Sequence, residues 1–196
     1  IVGFNNELES MYIDYIYNKS DSDILLVTSS LYEANMIYNS IVSYNENTYL
    51  YPMDDFVTSE ASISSPELMI TRLETLNNIV STNKKKIIIT NLMGILRYLP
   101  DKSIWRDSLI TLRPNTEFNK DLLFKRLIQN GYSRDSIVTK TGEIANRGYI
   151  LDLFPINEDN PIRIEFFGDT IESIRNFDVN TQLSKDEIFE ITIYPF

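Results

Sequence analysis

Residues 142–178 read GEIANRGYILDLFPINEDNPIRIEFFGDTIESIRNFD, three strand-like runs separated by turn chemistry. Tyr149 to Phe154 is the first run, and Pro155 to Pro161, rich in Asn, Glu and Asp, breaks it. Ile162 to Phe167 is the second run, Gly168-Asp169 a tight turn, and Thr170 to Arg175 the third run. Side chains alternate along a strand, so Ile162, Ile164 and Phe166 share one face while Arg163 and Glu165 share the other. Hairpin register can set Asp152 opposite Arg163, which would make these charges a cross-strand pair. An exposed pair of this kind contributes only about 0.2–1 kcal/mol, so charge pairing and partner binding explain the spacing equally well. A sheet with one apolar and one charged face suits docking a protein better than it suits catalysis.

Upstream of this stretch, Asn119 to Asn130 reads as a helix with Leu122, Leu123, Leu127 and Ile128 as its buried stripe, stopped by Gly131. Ser108 to Arg113 reads as a strand ended by Pro114, and Tyr132 to Lys140 as strand-like. Residues 108–196 are therefore expected to form an α+β domain, with the helix covering one face of an antiparallel sheet. Pro100 to Asp107, with the single Trp105, reads as a linker or packed corner.

The first half alternates strand and helix, the pattern of a parallel sheet covered by helices. A strand stub at Ile1-Val2 precedes a helix to about Tyr17. Ile24 to Thr28 is a continuous apolar run, expected to be a buried parallel strand. Ser29 or Ser30 caps a helix from Leu31 to about Tyr44, a reading preferred to contact with a nucleic-acid phosphate. Thr48 to Tyr51 and Ile87 to Thr90 are further strands. Pro66 opens a helix to about Val80 with Leu68, Leu73, Leu76 and Val80 on one face, and Asn91 caps another to Leu99. Lys84-Lys85-Lys86 reads as a solvated loop end. Asp54 and Asp55 read as a solvated turn, with no third ligand nearby to make a metal pair. The fold class is thus α/β over residues 1–107, followed by the smaller α+β domain.

Laid on the phosphate-loop pattern Gly-x4-Gly-Lys-Ser/Thr, Gly3 and Ser10 fall on the first and last places. Leu8 stands where the second Gly belongs and Glu9 where the Lys belongs. A carboxylate there repels phosphate, so no ATP binding is expected.

The 196 residues carry 18 basic and 28 acidic side chains, a net charge of -10. The residues through Asp107 hold 8 basic and 14 acidic side chains, those after it 10 and 14. Neither part has the basic excess of an autonomous nucleic-acid binder. The absence of Cys and His removes thiol nucleophiles, zinc-thiolate sites, the usual general base and the Ser-His triad. An enzyme is therefore not expected, nor any metal site. No apolar run reaches membrane-spanning length and no signal peptide is recognisable, and the absence of Cys fits a reducing cytoplasm. The start at Ile1 rather than Met reads as part of something longer.

Gly142-Glu143, Arg147-Gly148, Leu151 to Pro155, Arg163 to Asp169 and Phe177 to Gln182 occur in order over some forty residues. Together they resemble the module shared by the bacterial excision-repair protein UvrB and the transcription-repair coupling factors, the Mfd family. Ser65-Pro66-Glu67-Leu68, with only Val57 to Ser64 before it, is similar to the coupling factors; UvrB carries a long Tyr-rich damage-probing hairpin at this place. The resemblance implies that 1–107 is a degenerate P-loop-type ATPase-like domain with a decayed nucleotide site at Gly3, Leu8, Glu9 and Ser10. It implies that 108–196 binds UvrA, the damage-recognition ATPase, through Arg147, Arg163 and Glu165, with Arg134 at the edge. Ala145 and Asn146 stand where UvrB has an additional arginine, so the surface is less basic. ATP, Mg, RNA polymerase and DNA would be handled by other domains of the longer protein. The other readings are a UvrB-type damaged-DNA-binding ATPase fragment and a scaffold domain that packs only within its parent.

Overall fold

The computed structural model describes residues 5–55 and 65–196. Gly3 and the Val57 to Ser64 link lie outside the described residues. The chain divides into two compact units, Ile1–Pro100 and Asp101–Phe196, a boundary before rather than after the Trp105 segment.

The first unit runs α1 (Asn6–Lys19), β1 (Ile24–Thr28), α2 (Leu31–Val42), β2 (Thr48–Tyr51), α3 (Pro66–Ser81), β3 (Ile87–Asn91) and α4 (Leu92–Ile95). Its strands form a parallel sheet in the order β1-β3-β2, with Ile24 and Thr48 both level with Ile87. Ile13, Tyr17, Ala34, Ile37, Ile41, Leu50, Ile87 and Ile89 make the core. Ser30 caps α2 as expected, its Oγ accepting the Glu33 N–H, and the Leu8 N–H donates to Asn5 Oδ1 at the start of α1. The expected Asn91 cap is not made; its side-chain amide donates instead to the Met53 carbonyl and to Asp55.

Four other expectations are corrected here. β1 is parallel, but it is an edge strand of the described sheet, and Leu25 is 55% exposed while Ile24 and Leu26 pack on the core. An apolar run cannot distinguish burial on two faces from burial on one. Lys85 and Lys86 are not a solvated loop end. Lys85 Nζ donates to the Tyr17 and Ser20 carbonyls at the end of α1, where a cation meets the helix dipole, and Lys86 is buried with its Nζ on the Thr82 carbonyl. Asp55 is more than a turn residue: it accepts the Leu31 N–H at 2.8 Å and the Asn91 amide at 2.7 Å, a second cap on α2. The final helix stops at Ile95 instead of Leu99, because Gly94 is a poor helix former and the Arg97 N–H turns back to the Gly94 carbonyl.

The second unit opens with α5 (Lys102–Asp107), β4 (Ile110–Leu112) and α6 (Lys120–Gln129). β5 (Ser133–Arg134), β6 (Glu143–Arg147), β7 (Ile150–Leu153), β8 (Ile162–Phe167), β9 (Thr170–Phe177), β10 (Ser184–Glu187) and β11 (Ile191–Ile193) follow. The meander grows to six strands, β10-β9-β8-β7-β6-β5, antiparallel except where β5 runs parallel to β6. β4 instead pairs with β11 in a separate ribbon. Of the run expected at Tyr132 to Lys140, only Ser133–Arg134 is strand.

One face of the large sheet is the core. Ile144, Leu151, Leu153, Ile162, Ile164, Phe166, Ile171 and Ile174 pack there with Leu123 and Leu127 of α6 and with the β4–β11 ribbon. Leu122 and Ile128 are exposed, so the helix stripe is narrower than expected; the ribbon supplies the missing apolar surface. Gly148 and Gly168, at φ of 59° and 61°, form the tips of the two tight hairpins, in a conformation that other residues adopt rarely.

Candidate partner-binding face

The face of the sheet opposite α6 carries the expected residues in two cross-strand rows. Ala145, Asp152, Arg163 and Arg175 stand side by side on β6, β7, β8 and β9, and Glu187 of β10 extends the row. Beside it run Arg147, Ile150, Glu165 and Ser173. A register shift between Glu165 and Phe166 keeps Glu165 opposite Ser173, whose hydroxyl donates to its carboxylate at 2.7 Å.

Asp152 organises the first row. Its carboxylate is wholly buried and accepts the Arg163 Nε–H at 2.8 Å and Nη2–H at 3.0 Å, a bidentate fork. Arg147 also donates to it through Nη2. The hairpin register therefore delivers the expected pairing, but in a different setting. Arg163 is only 14% exposed at its side chain, whereas Arg147 is 46% exposed. The Arg163 guanidinium lies 4.7 Å from the Phe177 ring centre and gives a third bond to the Gln182 carbonyl at 3.2 Å. The hydrogen bonds that Arg163 donates to Asp152, and the charge of that carboxylate, raise the Arg163 pKa above its usual value against the opposing effect of burial.

The loop after β9 explains why Arg163 is covered. Asp178 accepts the Asn180 and Thr181 N–H groups and pairs with Lys185. These bonds, the Thr181 N–H first, draw its pKa down to about 2. Gln182, in the left-handed region at φ 60°, donates its side-chain amide to the Val138 and Val179 carbonyls. Val138, Ala145 and Phe177 make a small second core on this side of the sheet. Phe177, Asp178 and Gln182 thus have a concrete task, supporting Arg163, that sequence reading left unassigned; their grouping in one short motif was the available signal.

Arg134 sits apart. Its guanidinium is 5.9 Å from the Phe124 ring centre, on the α6 side of the sheet. It meets Arg147 only across an open cleft of about 620 Å3 at the sheet edge, lined also by Asp135, Ser136 and Asn146. Lys120 of α6 ties this edge down by donating to Asn146 Oδ1 at 2.7 Å and to the Gly148 carbonyl. The structure therefore brings Arg147, Arg163 and Glu165 together and leaves Arg134 at the rim.

In the first unit, Ser10 is buried and its hydroxyl donates to the Asn6 carbonyl at 2.8 Å, while Leu8 is exposed. Glu9 lines a cleft of about 290 Å3 between the starts of α1 and α2, together with Glu33, Ser29 and Ser30. Glu33 already takes the Ser29 N–H and hydroxyl. Among the described residues, no group of three or more acidic side chains is arranged to hold a metal, and no helix is long and apolar enough to cross a membrane.

The charged sheet face, backed by α6, lies within residues 110–196, which match the family model described as the UvrB interaction domain. Over 195 residues the chain is 36% identical to the transcription-repair coupling factors of Staphylococcus haemolyticus (strain JCSC1435) and of Staphylococcus aureus (strains Mu50 and USA300). These alignments cover 98% of this chain and 16% of each relative. The resemblance read from residues 142–182 is thereby shown, and it extends through both units.

Proposed function

We propose that the chain is the recruiting module of a transcription-repair coupling factor and binds UvrA through the outer face of its second unit. The observation that carries this reading is the placement of Arg147 and Glu165 in one cross-strand row beside the Asp152–Arg163 fork. This arrangement lies within the residues that match the UvrB interaction domain. Fixed, oriented charges favour specificity in a protein interface more than they favour stability. Contacts with RNA polymerase and DNA, and ATP-driven translocation with Mg, belong in this proposal to the parts of the longer relatives that the chain does not span.

The test is titration of the chain with UvrA of the same organism. Arg147→Ala and Glu165→Ala should each weaken binding by about 1–3 kcal/mol with little loss of fold, since both side chains are partly exposed. Wild-type affinity in both variants would remove this face from consideration and favour the scaffold reading.

The first unit is proposed to be a decayed P-loop-type domain that binds no nucleotide. Leu8 and Glu9 replace the residues that cradle phosphate, and Ser10 spends its hydroxyl on the Asn6 carbonyl. Calorimetric titration with Mg-ATP should show no heat above dilution. A dissociation constant in the micromolar range would overturn this reading.

A further inference from the structure

Resting on the reading of this face as the UvrA surface, we infer that Asp152 is a positioning residue that presents the Arg147 guanidinium to the partner already immobilised. Three observations carry the inference. Asp152 is wholly buried, so a carboxylate has been placed where an apolar side chain would pack without loss of solvation. Arg163 alone, bonded to both Asp152 oxygens and covered by Phe177 and the Gln182 carbonyl, already satisfies and neutralises that carboxylate. Arg147 is then attached to a group that does not need it for charge balance, through an arm that is nearly half exposed.

An exposed arm bonded to a neutralised pair adds little to stability. Its effect is on orientation. A free arginine loses its rotamer freedom when it is captured at an interface, and one that is held in advance does not. The Arg147–Asp152–Arg163 trio keeps one net positive charge, and Arg147 is its exposed member. That chemistry fits an acidic side chain of the partner. Arg163 acts from behind, as the counter-charge of the buried carboxylate.

The experiment is a double-mutant cycle of UvrA binding with wild type, Arg147→Ala, Asp152→Asn and the combined variant, each checked for folding by its thermal transition. Asp152→Asn should weaken binding about tenfold although both arginines remain, the effect of freeing one long side chain at an interface. In the Arg147→Ala background the same change should have no further effect. Wild type that fails to bind UvrA sinks the reading of the face itself. Wild type that binds, with losses that simply add, sinks the positioning role alone. If Asp152→Asn does not fold, the wild-type protein without UvrA decides by nuclear magnetic resonance. Separate, slowly exchanging Nη–H signals for Arg147 are expected, and a single averaged signal overturns the inference.

Discussion

Arg163→Glu should destabilise the second unit by about 3–5 kcal/mol, the range for breaking a buried ion pair by removing one partner. Domains of this size are stable by only about 5–15 kcal/mol, so much of the stability would go. The reason is local. Asp152 is wholly buried and relies on the Arg163 fork at 2.8 and 3.0 Å. A glutamate at that place sets a second carboxylate against it and strips the Phe177 ring of the cation 4.7 Å away. Arg175→Glu is the contrast. Its pair with Glu187, at 3.3 Å, has both side chains exposed, and breaking such a pair costs less than about 1 kcal/mol. Urea unfolding reads both variants on one scale. Midpoints that fall equally for Arg163→Glu and Arg175→Glu would show that burial does not set the strength of this pair.

That contrast also marks where sequence reading succeeds and where it stops. β8 was legible in full because Ile162, Ile164 and Phe166 alternate with Arg163 and Glu165, which fixes the core face, while β7 and β9 were marked by the glycine and proline turns that bound them. The facing of Asp152 and Arg163 followed from the hairpin register. The burial of Arg163 did not, because it comes from Phe177 and Gln182, more than a dozen residues along the chain. β10, Ser-Lys-Asp-Glu, has no apolar side chain to announce it; it is exposed throughout and is defined only by its pairing with β9. The same limit explains Lys85, which looks like any surface lysine until α1 ends beside it. Periodicity reports how a residue sits in its own element. Which distant element covers it is decided by packing.

Ile164→Asp should unfold the second unit outright. Ile164 has no exposed surface and stands in the middle of β8, between Leu151 of β7 and Ile174 of β9. Those neighbours belong to the same core as Leu123 and Leu127 of α6, and the cluster is wholly apolar apart from the Tyr132 hydroxyl, which reaches the Tyr194 carbonyl. Losing the isoleucine costs about 1.5–3 kcal/mol of burial, and an aspartate there either stays charged without a partner or takes up a proton, each several kcal/mol more. The sum approaches the whole stability of a domain. Trp105 makes the outcome readable, because it is the single Trp of the chain and lies buried in the second unit. Its emission should be red-shifted in Ile164→Asp without denaturant, while the helices of the first unit, built on a separate core, keep their circular dichroism. Ile164→Val, which only trims a methyl group, should keep the blue emission and lose about 0.5–1.5 kcal/mol. Wild-type emission and an unchanged urea midpoint in Ile164→Asp would mean that the apolar face of β8 is not the core of the unit. The assignment of Arg163 and Glu165 to the opposite, partner-facing side would fall with it.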